Sequence, residues 1–126
     1  MRYLMIALLA ATPALADPIE GTWQTQKDDN GNSGYVRIAP CDGGLCGTLV
    51  RSFDPQGNEI SSQHTGRAII WDMQPAGGGL YEGGKVWAPD RDKTYNGKLT
   101  LSGDSLDVSG CILMVCRSGG VWRRLD

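Results

Sequence analysis

The feature that most constrains the fold of this chain is an alternation of apolar and polar residues that recurs after residue 17. It is clearest at 94–101, where every second residue, Tyr95 and Leu99 among them, falls on one face. Alternation with a period of two is typical of a β-strand, and no segment keeps the i, i+3, i+4 apolar spacing of a helix over three turns. With 18 glycines to supply tight turns, the sequence predicts an all-β domain.

Eight strands are predicted after the first residues of the chain. They cover residues 21–26, 35–40, 45–53, 67–73, 80–88, 94–101, 105–112 and 120–125. The fourth strand is expected to end before Pro75, and the polar loop 54–65 is the longest connection, with room for one helical turn. Asn96-Gly97 is a strong hairpin signal, but the alternation continues through it, so it is interpreted as strand.

Short consecutive strands joined by tight turns favour a small antiparallel up-and-down barrel. Closing the sheet removes the exposed edges that would otherwise invite aggregation. Eight strands enclose an interior that is either filled by side chains or just wide enough for one small ligand. A two-sheet sandwich is the structural alternative.

The first sixteen residues have the features of a cleavable secretory signal peptide. Arg2 supplies the positive charge, residues 4–11 the apolar stretch, and Ala14-Leu15-Ala16 the small-x-small cleavage site. That stretch is well short of the ~20 residues that a membrane-spanning helix needs. We therefore expect residues 1–16 to be removed and residues 17–126 to form one soluble domain that is periplasmic or secreted.

Four cysteines in an exported chain indicate disulfides rather than free thiols. Cys41 and Cys46 have the same C-x4-C spacing as Cys111 and Cys116. Three pairings are formally possible. We favour the two local ones, because a four-residue hairpin loop, 42–45, would set Cys41 and Cys46 opposite each other across two strands. A four-thiolate zinc site is disfavoured, since structural zinc prefers tighter ligand spacing and thiolates oxidise outside the cytosol.

Composition and motifs argue against several functions. The formal net charge is −2 and no basic cluster is present, which makes nucleic acid an improbable partner. The glycines at 77–79 lack the lysine and helix of a phosphate-binding loop, and no cofactor is expected. His64, the single histidine, is expected to be a solvated loop residue. Asp90 and Asp92 are expected to point apart in a turn, whereas the two catalytic carboxylates of a glycosidase must face a common cleft. We therefore predict that the chain is not an enzyme.

The first and last predicted strands carry a familiar pair of motifs. Gly21-x-Trp23 resembles the signature of the lipocalin-like (calycin) barrels, in which an arginine of the last strand packs over the early tryptophan. Arg124 lies on the same predicted face as Trp122, and by this resemblance it is the candidate for the arginine that packs over the early tryptophan. The resemblance implies that Trp23 and Arg124 close one end of the barrel, a stacking contact that contributes about 0.5–2 kcal/mol.

More closely, residues 19–125 are similar to the exported bacterial proteins of domain-of-unknown-function family 2147. The matching motifs are Gly21-x-Trp23, Val36-Arg37-Ile38, Cys41, Leu45-Cys46-Gly47, Gly83-Gly84-Lys85-Val86, Pro89, Lys93-x-Tyr95, Leu106, Gly110-Cys111, Cys116 and Trp122-x-Arg124. Arg91-Asp92 departs from the expected turn, in which a glycine precedes Lys93. The resemblance implies a lipocalin-like barrel of the cell envelope, and it implies no reaction.

Aromatic residues on neighbouring predicted strands suggest a binding site at one open end of the barrel. The residues predicted to line it are Leu49, Arg51, Trp71, Trp87, Tyr95 and Leu99. The expected ligand is a small apolar or amphipathic molecule whose acidic head meets Arg51. The alternative is that the same side chains fill a packed barrel. A bulge at Gly83-Gly84 would also reverse the direction in which Trp87 faces.

A second function stays open at this point. The protein is alternatively a protein–protein interaction or inhibitor module of the envelope that docks through the loop 54–65. A purely structural role in the envelope is a third.

Overall fold

The strands follow one another along almost the whole described chain. A computed structural model describes residues 16–126. The predicted signal peptide therefore lies outside the described residues, except for Ala16. Residues 16–126 form nine strands and no helix. The strands are β1 (Gly21–Gln24), β2 (Ser33–Cys41), β3 (Gly44–Phe53), β4 (Glu59–Ile60), β5 (Ala68–Gly77), β6 (Leu80–Ala88), β7 (Lys93–Ser102), β8 (Ser105–Ile112) and β9 (Val115–Arg124).

Eight of these strands form a closed antiparallel ring. Each pairs with its neighbours in sequence, and β1 pairs with both β2 and β9, which joins the last strand to the first. The pairing of β2 with β3 completes the closure, while the two-residue β4 pairs only with β3. The predicted all-β, up-and-down barrel is confirmed, and the chain does not form a sandwich.

The apolar face of the alternating pattern is the inside of the barrel. Its largest fully buried side chains are Ile19, Trp23, Val36, Ile38, Ile70, Met73, Leu99 and Leu106. The continuation of β7 through Asn96-Gly97 is confirmed. Gly97 is needed there for space, because a Cβ would stand 2.7 Å from Val86 Cγ2 and would also overlap the end of Met73. The missing side chain thus lets Met73 fill the interior.

The predicted extents of two strands and the content of the longest loop were wrong. β5 continues through Pro75, which pairs with Tyr81, and the turn is made by residues 78–79. Proline is tolerated because it lies exposed at the end of the β5–β6 hairpin beside an irregular register. β9 begins at Val115 rather than at residue 120, since the β8–β9 hairpin needs only two turn residues. The loop 54–65 contains β4 and no helical turn.

Both local disulfides are present, as predicted. Cys41 is bonded to Cys46 and Cys111 to Cys116. The second pair lies directly opposite across β8 and β9, with the Cα atoms 4.0 Å apart. The first pair is diagonal, since Cys41 pairs with Gly44 in the ladder and the loop is only two residues long. The four-residue loop predicted between Cys41 and Cys46 was therefore wrong.

The meander puts successive connections at opposite ends of the barrel. Residues 42–43, 78–79 and 103–104 are two-residue turns at what we call the closed end. The connections 25–32, 54–67, 89–92 and 113–114 lie together at the open end. The two disulfides consequently staple opposite ends, so the four cysteines cannot share one metal ion.

Candidate ligand cavity

The closed end is sealed by Trp23 and Arg124. The Arg124 guanidinium carbon lies 4.5 Å from the centre of the Trp23 ring, and Trp23 is fully buried. The same guanidinium donates to the carbonyl oxygens of Pro18 (2.6 Å) and Glu20 (3.0 Å), while Trp23 Nε1 donates to the carbonyl of Ile19. The short segment before β1 is thereby fastened across this end of the barrel.

A cavity of about 780 Å³ opens at the other end. Its volume lies within the roughly 300–1,000 Å³ typical of small-molecule sites. The floor is lined by Val36, Leu49, Ile69, Val86, Val108 and Trp122. All six side chains are at least nine-tenths buried in the protein. The floor therefore offers an apolar surface, which favours apolar atoms of a ligand over water.

One polar side chain reaches the apolar part of the cavity. Ser52, on β3, lines the cavity and is only 9% exposed, and it is the one buried polar residue among residues 16–126. Its hydroxyl has no hydrogen-bond partner in the described part of the chain. A buried hydroxyl without a partner is costly, so Ser52 is suited to bond a polar atom of a bound molecule.

Trp87 is held in one orientation at the cavity wall. Its ring nitrogen donates to Asp92 Oδ1 (2.9 Å), and the guanidinium carbon of Arg67 lies 3.3 Å from its ring centre. His64 meets the same ring edge-on, with 5.0 Å between ring centres. Trp87 is thus buried between two loops of the open end. His64 lies in a loop, as expected, but its side chain is half-buried in this cluster and not fully solvated.

The rim of the cavity is charged. Arg91 forms an ion pair with Asp29 (3.0 Å), and this contact and then that with Tyr95 raise the pKa of Arg91 above its ordinary value. Lys27 Nζ donates to the carbonyl of Pro55. Arg117, on β9, also lines the cavity and has neither an ion pair nor a side-chain hydrogen bond within residues 16–126. It is accordingly the rim cation best placed to meet an anionic group.

The structure brings together three of the six residues predicted for the pocket. Leu49, Trp87 and Tyr95 line the cavity. Leu99 is 1% exposed in the core and lies across the ladder from Tyr81 and Val108. It therefore packs in the interior without reaching the cavity.

Trp71 and Arg51 also lie outside the cavity, because bulges shift their strands. The register of β3 against β2 changes between Arg51 and Leu49. Strict alternation would put Leu49 and Arg51 on one face, but the extra residue turns Arg51 outward, where it is paired with Glu59 (3.5 Å). Ser52 faces inward instead. A similar irregularity in β5 buries Ile69 and Ile70 together and leaves Trp71 half-buried beside the core.

The sequence offered no signal for several of the cavity residues. Ser62 and His64 come from the loop 54–65, which was assigned to partner docking and which forms part of the rim. Asp28 and Asp29 reach the rim from the β1–β2 connection. These residues lie close together only because four connections converge at one end of the barrel. The spacing of residues along the chain does not predict that convergence.

Two further observations concern residues 16–126 alone. Within this range no three His, Cys, Asp or Glu side chains are grouped closely enough to hold a metal ion. The same range contains no helix with the length and hydropathy needed to cross a membrane.

A closed antiparallel barrel with one sealed end and an apolar cavity at the other defines a lipocalin-like protein. The fold is similar to that of HP1028, a protein of the human pathogen Helicobacter pylori that is described as belonging to the lipocalin family. The TM-score is 0.68 at 18% sequence identity, with 86% of this chain and 83% of that chain covered. This likeness confirms the predicted lipocalin-like fold.

The family follows from a separate match. Residues 21–124 match the model of a family described as an uncharacterized protein conserved in bacteria, DUF2147, and the chain belongs to this family. The resemblance seen in the sequence motifs is thereby confirmed. Comparison with the curated proteins gives no match.

Proposed function

We propose that this protein is exported and binds one small amphipathic molecule, with an apolar tail and an anionic head, in the cell envelope. The cavity at the open end carries the proposal. The cavity surface changes from an apolar floor to a charged rim, through the hydroxyl of Ser52 to the guanidinium of Arg117, and neither group has a partner among residues 16–126. A tail on the floor and a head at the rim would satisfy all three.

The two disulfides support the export part of the proposal. Disulfides persist in oxidising compartments and are rare in the cytosol, and both cysteine pairs of this chain are bonded. The signal-peptide features of residues 1–16 agree with this. We propose that cleavage after Ala16 releases residues 17–126 to the periplasm or the medium.

The anchor for the acidic head differs from the one expected from sequence. Arg51 is exposed outside the barrel, so it cannot meet a ligand in this cavity. We assign the role to Arg117, because Arg91 is engaged by Asp29 and Lys27 by a carbonyl oxygen. A carboxylate or phosphate head would pair with Arg117 at the rim.

Fluorescence titration tests the proposal. Trp87 and Trp122 both line the cavity, so their emission should change and saturate as dodecanoate is added. Val108→Phe fills the floor and should weaken binding at least tenfold. Val121→Phe adds the same ring to the half-exposed outer face of β9 and should leave binding unchanged. Arg117→Gln should weaken the binding of dodecanoate and leave that of neutral dodecanol within twofold.

The results that would contradict the proposal are equally specific. A linear, non-saturating response in the wild type would show that nothing binds in the cavity. Equal losses in Val108→Phe and Val121→Phe would place the binding elsewhere.

A further inference from the structure

The hairpin between β8 and β9 ends in four exposed apolar residues. We call residues 112–115 the apolar tip. Ile112 is 62% exposed, Leu113 88%, Met114 96% and Val115 65%. Scattered exposed apolar residues are normal on a protein surface, but four in succession at the end of a hairpin form a protruding patch.

The apolar tip is also locally unfavourable as a turn. Leu113 has φ +56°, a conformation that costs a residue with a Cβ and that two-residue hairpins usually fill with glycine or asparagine. The other disulfide hairpin of this chain has such a turn, Asp42-Gly43, with both residues at positive φ. The two hairpins share the C-x4-C spacing, so the chain uses a polar turn at the closed end and an apolar one at the open end.

The apolar tip is continuous with the candidate cavity. Ile112 and Val115 both line it, and Arg117 follows on the same strand. The cross-strand disulfide Cys111–Cys116 fixes the base of the tip to the barrel wall. A molecule passing over the tip into the cavity would therefore stay against apolar side chains.

Its size and shape favour a lipid surface over a protein partner. A stable protein interface buries about 1,200–2,000 Å² in total, which is more than four side chains at the end of one hairpin supply. A bilayer interface accepts a small apolar wedge, and the neighbouring Arg117 can extend to the lipid phosphates. The formal net charge of −2 shows that general attraction to an anionic surface is not the driving force.

We propose that the apolar tip inserts into the surface of a lipid bilayer and sets the open end of the barrel against it. This deepens the proposed function, on which it rests for its purpose, by naming the source or destination of the amphipathic ligand as a membrane. Contact is reversible and requires no conformational change. The ligand crosses between bilayer and cavity over Ile112 and Val115 and avoids transfer through water.

Flotation with phosphatidylcholine vesicles tests the insertion. The full gene is expressed and the protein purified after export, with its mass defining the amino terminus. Wild type should float with the vesicles in 0.15 M and in 0.5 M NaCl. The variant Leu113→Gly/Met114→Ser removes the two most exposed apolar side chains and suits the turn better, so it should fold normally and lose at least 80% of flotation. Both proteins carry the same amino terminus, so any binding through residues 1–16 would be equal in the two.

A matched control removes apolar surface elsewhere. Val50 and Val121 are 41% and 45% exposed on the outer faces of β3 and β9. Val50→Thr/Val121→Thr preserves side-chain shape and should float as the wild type does. Equal losses in both double variants would overturn the proposal. So would flotation that needs phosphatidylglycerol and disappears in 0.5 M NaCl, since that marks charge attraction. A dimer in solution that Leu113→Gly/Met114→Ser converts to a monomer, without vesicle binding, would make the tip a contact between copies.

The experiment separates this inference from the proposed function. Val108→Phe, which fills the cavity floor, should float normally and fail to extract a fluorescent fatty acid from the vesicles. Saturable dodecanoate binding without flotation would refute the membrane contact alone. Flotation without any saturable ligand binding would refute the cavity's function and leave the membrane contact standing.

Discussion

The guanidinium of Arg124 spans the closed end of the barrel at 4.5 Å from the centre of the Trp23 ring. The two residues are 101 positions apart in the sequence and are directly opposite in the β1–β9 ladder. Arg124 also donates to Asp104 Oδ1 (3.0 Å) in the β7–β8 turn. One side chain thus connects the first strand, the last strand and the segment that precedes the barrel.

Arg124→Lys should lower the free energy of unfolding by about 2 kcal/mol. Lysine keeps the charge, but it loses the planar stacking on Trp23 and most of the hydrogen bonds that the guanidinium makes. Urea unfolding at neutral pH measures the loss. The neighbouring Arg123→Lys changes an exposed contact with Gln24 and should cost less than about 0.5 kcal/mol. Equal effects of the two substitutions would show that the stack does not stabilise the barrel. Dodecanoate binding should be unchanged in both variants, because the cavity is at the opposite end.

Substitution of two adjacent glycines of β6 should destabilise the protein to very different extents. Gly83 has φ +87°, and a Cβ there would only reach ordinary contact with Gln74 Cγ at 3.9 Å, whereas a Cβ on Gly84 would stand 2.6 Å from the carbonyl carbon of Asp72 and 2.7 Å from the nitrogen of Met73. Gly83→Asn should cost about 1 kcal/mol or less, because asparagine tolerates positive φ. Gly84→Ala should cost about 3 kcal/mol, since the obstructing atoms belong to the backbone of β5. The urea concentrations at the midpoint of unfolding of the two variants test this prediction. A milder effect of Gly84→Ala than of Gly83→Asn would contradict it.

Tyr81 should make the barrel less stable at alkaline pH. Its burial raises the pKa well above the usual value of about 10, and the hydrogen bond that it donates to the Asp17 carboxylate adds to the shift. Above pH ~10 the unfolded chain releases the phenolic proton and the folded chain keeps it, so the stability present below pH ~10 is lost as the pH rises.

Tyr81→Phe isolates this contribution. The phenylalanine keeps the buried ring and has no proton to release, so the variant should lose less stability than the wild type between pH 9 and pH 11. At pH 7 it should be less stable by about 1 kcal/mol, because Asp17 loses a hydrogen bond. The free energy of unfolding of both proteins at pH 7, 9 and 11 provides the comparison. Parallel pH curves would show that Tyr81 does not carry the effect.

The disulfide at the open end should contribute modestly to stability. Cys111 and Cys116 are five positions apart, and closing so short a loop stabilises a protein by about 2 kcal/mol in the chain-entropy model. Cys111→Ala/Cys116→Ala should therefore unfold at lower urea and keep the barrel, while vesicle flotation weakens because the base of the apolar tip is released. Cys41→Ala/Cys46→Ala should show a similar stability loss with unchanged flotation. Circular dichroism confirms the fold in each case, and flotation that is equally affected by both pairs would contradict the assignment.

The closure of one end and the two disulfides were readable from the sequence, whereas most of the cavity lining was not. The contact between Trp23 and Arg124 is indicated by a motif that resembles the one in lipocalin-like barrels. The two local disulfides are indicated by the short C-x4-C spacing of each cysteine pair. The alternation in β7 and β8 is equally local, because neighbouring side chains on a strand must point to opposite faces. Each of these signals lies in a short stretch of sequence or in a recognisable pair of motifs.

The cavity depends on bulges and on contacts between distant loops, which cannot be predicted from neighbouring residues in the sequence. The bulge beside Leu49 places Ser52 instead of Arg51 on the inner face of β3. Arg67, which contacts the Trp87 ring, belongs to a connection distant from Trp87 in the sequence. A single inserted residue reverses a strand's parity, so an error of one position turns a cavity residue into a surface residue. The binding surface is therefore the part of the molecule that pattern reasoning predicts least well.

By itself, the sequence predicted an all-β chain of about eight strands and favoured two local disulfides, and its resemblance to the lipocalin-like barrels implied that Trp23 and Arg124 close one end. Periodicity, cysteine spacing and a motif suffice for these because the forces involved act between neighbours or through one specific pair. Only the tertiary structure decided which side chains line the cavity at the other end, and that residues 112–115 protrude beside its mouth. Those features arise where bulged strands and four connections converge, and that convergence is set by packing across the whole barrel.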